Sequence, residues 1–199
     1  MFTGIIEELG TVAVFEPGRA GARLRINCRK MLQSLTVGGS IAVNGVCLTA
    51  VDFCQDSFGA DLAPETLSRS NLGDLSPGSR VNLELPVTVA TMFSGHIVQG
   101  HVDGTGEILA WEDLGEGAWL TVKAPAELDR YLVHKGSIAL DGISLTIAAL
   151  EPGPILRVAV IPHTLQNTTL GSAQVGGRVN IEADILAKHV EKLLHHGGR

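Results

Sequence analysis

The chain is poor in the features that most readily announce a function. Its 199 residues include only three cysteines, Cys28, Cys47 and Cys54. Their odd number, the lack of C-x-x-C spacing and the lack of an export signal argue against a disulfide framework or a thiolate metal site, and favour free thiols. Lys and Arg form no cluster and the formal net charge is −6, so the electrostatic footprint of a nucleic-acid binder is missing. No uninterrupted apolar run is long enough to span a bilayer, and the opening MFTGIIEELG has no basic stretch followed by an apolar one. A cytoplasmic protein is expected, with neither nucleic acid nor membrane among its partners. Several catalytic signatures are absent too: there is no H-E-x-x-H, P-loop or G-x-S-x-G. The G-x-G inside GHVDGTG lacks the strand-turn-helix setting of a dinucleotide site.

What the chain does have is a repeat. Residues 44–50 read NGVCLTA and residues 141–147 read DGISLTI. Aligning 39–51 with 136–148 gives seven identities in thirteen positions, and 62–84 with 160–182 gives ten in twenty-three. A weaker match pairs GIIEELGTV from Gly4 with GHVDGTGEI from Gly100. The unit is about 97 residues long, which is too long for a solenoid or propeller blade and suits a duplicated domain.

Each copy has a β pattern. Ile5 to Phe15, Leu24 to Cys28, Ser40 to Val43, Val46 to Phe53, Phe58 to Leu62 and Arg80 to Leu85 are short, rich in Val, Ile, Leu and Thr, and bounded by Gly, Pro or Asn. Asn44-Gly45 and Asp141-Gly142 accept the positive φ of a type I′ hairpin turn. The expected fold is all-β, with two tandem homologous six-stranded antiparallel Greek-key barrels spanning 1–96 and 97–185. Short helical turns are expected at Arg29 to Ser34 and after Pro64 and Pro162. The stretch 184–196, DILAKHVEKLLHH, has no Gly or Pro and spaces Leu186, Val190 and Leu193 as a helix does. That helix, with the tail 186–199, either packs on its own barrel or forms a seam between subunits, and the pattern leaves both open.

Strand periodicity singles out side chains that could carry chemistry. Val46, Leu48 and Ala50 share one face, which leaves Cys47 and Thr49 together on the other; Ser144 and Thr146 are placed alike in the second copy. Small polar groups beside a packed core suit a planar, hydrogen-bonding ligand, although a buried cysteine also serves as a small hydrophobe. A thiol ionises far more readily than a hydroxyl, so only the first copy easily presents a nucleophile or an acid/base thiol. His101 lies in a Gly-flanked segment and is either an acid/base or a structural histidine. His96, five residues earlier, would face the opposite side of a strand, so the two would not share a metal.

The opening MFTGIIEELG, the repeated NGVCLT and DGISLT strands, the ETL...NLGDL and HTL...TTLG segments and GHIVQGHVD together give a resemblance to riboflavin synthases of the alpha-chain, lumazine-binding type, over nearly the whole chain. The resemblance implies a cofactor-independent transferase at the last step of riboflavin biosynthesis. Such enzymes bind two molecules of 6,7-dimethyl-8-ribityllumazine and move a four-carbon unit from one to the other. The products are riboflavin and 5-amino-6-ribitylamino-2,4-pyrimidinedione. One compound is then both donor and acceptor, which gives two like pockets with different reactive groups a purpose. A homotrimer assembled by C-terminal helices is also implied, each active site lying between the N-terminal barrel of one subunit and the C-terminal barrel of its neighbour. Association with a lumazine synthase is a further expectation.

Carried over by position, the first-barrel pocket would comprise Cys47, Leu48, Thr49, Asp61, Leu62, Ala63, Pro64, Glu65, Thr66, Gly100, His101, Val102 and Lys135. The second would comprise Gly4, Ile5, Ile6, Ser144, Leu145, Thr146, Ala159, Val160, Ile161, Pro162, His163 and Thr164. Phe2 matches an N-terminal phenylalanine important for catalysis in that family. Cys47 and His101 would act on one lumazine as nucleophile and acid/base, while Ser144 and Thr146 position or polarise the other. His163 stands where many members have glutamate, so no charged role is expected of it, and no metal is expected. The rivals are a non-catalytic lumazine or flavin carrier of the same fold and a structural protein reusing the barrel. Cys47, His101, Ser144 and Thr146 in matching positions favour the enzyme.

Overall fold

The computed structural model describes residues 1–196; residues 197–199 of the expected tail lie outside the described residues. The first copy contributes β1 (Glu8–Gly18), β2 (Gly21–Asn27), β3 (Ser40–Val43), β4 (Val46–Phe53), β5 (Ser57–Leu62) and β6 (Arg80–Glu84). The second contributes β7 (Gly104–Asp113), β8 (Ala118–Lys123), β9 (Ser137–Leu140), β10 (Ile143–Glu151), β11 (Ile155–Val160) and β12 (Arg178–Ala183). Each set closes into an antiparallel barrel, in the order β1-β2-β5-β4-β3-β6 and in the matching order for the second copy. Closure removes the free sheet edges that short strands would otherwise expose.

Local chemistry explains why the copies fold alike. Asn44 and Gly45 have φ of 45° and 75°, and Asp141 and Gly142 have 45° and 78°, the left-handed pair that pins the β3-β4 and β9-β10 hairpins. A bulge follows at the same place in both, between Ala50 and Asp52 and between Ile147 and Ala149. It bends each strand round its barrel. Pro64 and Pro162 open the short helices α1 (Pro64–Arg69) and α2 (Pro162–Asn167), where a missing N–H costs nothing. The third helix, α3 (Ile185–His196), closes the described chain. The stretch expected to turn helically at Arg29 to Ser34 holds only a short 3-10 turn, Met31–Gln33.

Inward-facing residues fill each barrel. Leu24, Ile26, Ile41, Leu48, Phe58 and Leu83 are buried in the first; Ile108, Leu120, Val122, Ile138, Leu156 and Ile181 are buried in the second. Each such side chain contributes about 1.5–3 kcal/mol by leaving water. The barrels are then joined by reciprocal amide contacts. Asn180 Nδ2 donates to the Asn44 carbonyl at 2.8 Å, and Asn82 Nδ2 donates to the Asp141 carbonyl at 2.9 Å. Because these groups are buried, losing one partner would strand the other.

Candidate functional site

Two segments outside the strands run between the barrels, residues 1–7 and 97–103. They bridge each other: Phe2 N donates to Val98 O at 2.6 Å and Val98 N to Phe2 O at 3.2 Å. Phe2 is wholly buried and packs with Val98, Ala42, Ala139 and the half-buried Cys47. Its ring therefore holds the segments in place rather than meeting solvent.

Each segment then caps one of the polar strand faces. Cys47 N donates to the Gly100 carbonyl at 2.9 Å, and Ser144 N donates to the Gly4 carbonyl at 2.8 Å. Gly100 and Gly4 have φ of +80° and +79°, and a Cβ on either would lie 2.6 Å from the Cβ of Cys47 or Ser144 respectively. Only glycine allows that approach.

Around Cys47 the surface sinks into a hollow of about 490 Å³. It brings together Cys47, Glu65, Thr66, Gly100, His101 and Val102 from the expected set, and adds Val46, Arg69, Ser70 and Asp103. Thr49 is exposed on the same face of β4 as Cys47. Leu48 and Leu62 point into the core instead. Asp61 is paired with Arg23 at 2.6 Å, and Ala63 and Pro64 are exposed at the start of α1. Lys135 sits in the second barrel, on the turn before β9, where its amide donates to the Ile147 carbonyl. Within one chain it is not part of the Cys47 hollow.

The second copy reproduces the face with different groups. Ser144 is half-buried and Thr146 exposed on one side of β10, with Leu145 turned toward the core. Ile6 packs on that core and Ile5 is exposed. Val160 is buried, whereas Ala159, Ile161, Pro162 and His163 are exposed. Thr164 is half-buried, and its carbonyl accepts the Thr168 hydroxyl at 2.7 Å.

His96 is the residue that sequence reasoning missed. Its Nδ1 lies 2.7 Å from Ser144 Oγ, and its Nε2 is buried with no hydrogen-bond partner among the described residues. Burial lowers its pKa below the ordinary histidine value, with Asp184 opposing the shift. The ring is therefore neutral near pH 7 and can accept the serine proton. Spacing relates His96 only to His101; the Ser144 contact spans 48 residues and leaves no local trace. Among the described residues, no group of three or more His, Cys, Asp or Glu could hold a metal ion, and no helix is long and apolar enough to cross a membrane.

Fold and site together define a protein of two paired barrels, each with a polar strand face capped by a segment between them. The lumazine binding domain model matches residues 3–86 and 99–184, and the chain belongs to that family. It is 51% identical to the riboflavin synthase of Mycobacterium tuberculosis (strain ATCC 25618 / H37Rv), covering 100% of both chains. It is 43% identical to that of Bacillus subtilis (strain 168), covering 98% of this chain and 90% of the relative. The crystal structure of LumP complexed with 6,7-dimethyl-8-(1'-D-ribityl) lumazine shares the fold, with a TM-score of 0.84 at 23% identity over 92% of this chain and 99% of that one.

Proposed function

We infer that the chain catalyses the riboflavin synthase reaction, the transfer of a four-carbon unit between two molecules of 6,7-dimethyl-8-ribityllumazine. The products are riboflavin and 5-amino-6-ribitylamino-2,4-pyrimidinedione. The observation that carries this reading is identity of 51% to a named riboflavin synthase along the entire chain. The two capped polar faces fit it: like pockets suit like substrates, and the exchange of Cys47 for Ser144 suits unlike roles.

In this reading Cys47 and His101 serve one lumazine, and Ser144 and Thr146 serve the other, with His96 drawing the Ser144 proton. The 7-methyl group of the lumazine is acidic because its carbanion delocalises into the pteridine. A modest base is then enough, and no cofactor is required. Much of the acceleration comes from holding two rings together, worth up to about 7–11 kcal/mol in favourable cases. Phe2 acts through position, packing beneath Cys47. Leu48, Leu62, Leu145 and Val160 shape the pockets from the core side, and backbone groups of 61–66 and 159–164 border the ligand. The working units are 1–96, 97–185 and the helix with its tail, 186–199. Assembly as a homotrimer, with pockets of neighbouring subunits facing each other, also brings Lys135 of one subunit to the Cys47 hollow of another. A cytoplasmic setting and association with a lumazine synthase belong to the same reading.

Incubating the purified protein with 6,7-dimethyl-8-ribityllumazine alone tests it. Two lumazines consumed per riboflavin formed is the expected result. Binding without consumption would make this a carrier instead. Replacing Cys47 by Ser separates chemistry from shape: full turnover in that variant would remove the thiol from the mechanism.

A further inference from the structure

Two buried carboxylates have no part in the chemistry above, and they occupy equivalent positions in the two copies. Glu84, in β6 of the first barrel, accepts from Thr3 N at 2.7 Å, Thr3 Oγ1 at 2.8 Å and Gly4 N at 3.0 Å. Glu182, in β12 of the second barrel, accepts from Gln99 N at 2.6 Å, Gly100 N at 2.9 Å and His101 N at 3.0 Å. Both residues are almost fully buried. Burial raises the pKa of each, and the backbone donors counter it. A buried carboxylate facing three N–H or O–H donors is a strong anchor, because its loss leaves several buried donors unpaired.

The segment gripped by Glu84 carries Gly4, whose carbonyl accepts from Ser144 N in the second barrel. The segment gripped by Glu182 carries His101, and also Gly100, whose carbonyl accepts from Cys47 N in the first barrel. The connections therefore cross: the carboxylate of each barrel fixes the backbone that completes the other barrel's pocket. Neighbouring contacts reinforce the pattern. Asp103 Oδ2 accepts from Ala183 N at 2.9 Å, and Glu7 Oε1 accepts from Leu85 N at 2.9 Å. Neither side of the crossing depends on the Phe2-Val98 bridge alone.

We propose that Glu182 and Glu84 are crossed positioning residues, Glu182 setting the Cys47-His101 pocket from the second barrel and Glu84 setting the Ser144 pocket from the first. This rests on the reading that Cys47 and Ser144 mark the two substrate pockets. The carboxylates touch no substrate; they act through Gly100, His101 and Gly4. A register error of a fraction of an ångström in these segments would displace the reacting groups.

Amide hydrogen exchange on the full-length protein, read residue by residue by NMR, tests the crossing without substrate. Glu182→Gln should speed exchange at the Cys47 amide about tenfold or more and leave the Ser144 amide near wild type; Glu84→Gln should do the reverse. Equal acceleration at both amides in either variant, or acceleration confined to the variant's own barrel, overturns the proposal and reduces the carboxylates to fold anchors. Should a Gln variant not fold, the corresponding Asp variant, which keeps the charge but shortens the reach, gives the same pattern by the same measurement. In turnover, Glu182→Gln should lower kcat about fivefold or more with a smaller change in KM; unchanged kcat overturns the positioning role. A wild-type protein that forms no riboflavin but shows the crossed exchange pattern would sink the functional reading and leave the crossing standing.

Discussion

Gly45 and Gly142 meet backbone to backbone where the two barrels join. A Cβ built on Gly45 would lie 2.5 Å from Gly142 N, and one built on Gly142 would lie 2.7 Å from Gly45 N. Both residues also have positive φ, so turn geometry and the inter-barrel contact each demand glycine. Gly45→Ala or Gly142→Ala should therefore cost more than about 2 kcal/mol of stability, read from denaturant midpoints. A loss below about 0.5 kcal/mol would mean that the barrels do not meet there.

The His96-Ser144 pair predicts a pattern rather than a single loss. If the imidazole acts only through the Ser144 hydroxyl, Ser144→Ala and His96→Gln should each lower kcat about tenfold, and the double variant should be no worse than either. Multiplying losses would show that His96 works independently of Ser144.

Phe2→Ala should separate holding from folding. Removing a fully buried ring forfeits about 3–5 kcal/mol of packing at its site, but Phe2 lies outside both barrels and packs with Val98, Ala42 and Ala139. Near-native circular dichroism with turnover reduced more than about tenfold is expected. Retained turnover would show that the segments keep their place without the ring.

The hairpins show how far local sequence reaches. Ser40–Val43 and Val46–Phe53 are strands with the boundaries read from the sequence, because Asn44-Gly45 fixes the turn and alternation fixes the face. The same alternation placed Cys47 with Thr49 and Ser144 with Thr146. The apolar pattern extends the first strand back to Ile5, but the strand begins at Glu8. Its opening residues are apolar enough for a sheet, yet Glu84, 80 residues away, grips Gly4 and turns the segment toward the other barrel. The contacts of Glu182 with 99–101, of His96 with Ser144 and of Asn82 and Asn180 with the opposite hairpins leave no local trace for the same reason. Their partners are distant in sequence, and a Glu or Asn in a strand has no periodic signature.

Asp141 gives a pH dependence with a defined sign. Burial lifts its pKa from 3.8 to about 7, against the hydrogen bonds from Asn180 and Asn71. Between those values the folded chain holds a proton that the unfolded chain has lost, so this group's contribution to stability falls as pH rises from about 4 to about 7 and is level above that. The first copy has Asn44 at this position, so Asp141→Asn is the natural test. Relative to wild type it should be close to neutral near pH 4 and stabilising by about 2 kcal/mol or more at pH 8. His96 runs the other way, since its lowered pKa makes stability rise as pH climbs toward 6.5 and leaves it level above that; taking the difference between variant and wild type cancels it. A difference that does not change with pH would show that Asp141 titrates normally in the fold.

Of the two roles that the sequence left open for α3, its surroundings support both. Lys188 pairs with Asp103 at 2.7 Å and Arg130 with Glu191 at 3.1 Å, which ties the helix to its own barrel. Leu186, Val190, Leu193 and Leu194 nevertheless stay 58%, 56%, 72% and 77% exposed. Four large apolar side chains exposed on one short helix form the kind of contiguous patch that marks an interaction surface. If they form the seam of a trimer, Val190→Glu with Leu193→Glu should give a monomer by light scattering while the barrels keep their circular dichroism. Turnover should fall with assembly, because each active site would then lack the barrel of its neighbour. A trimer surviving both substitutions would take the seam away from α3, and a fully active monomer would place both pockets of one active site within a single chain.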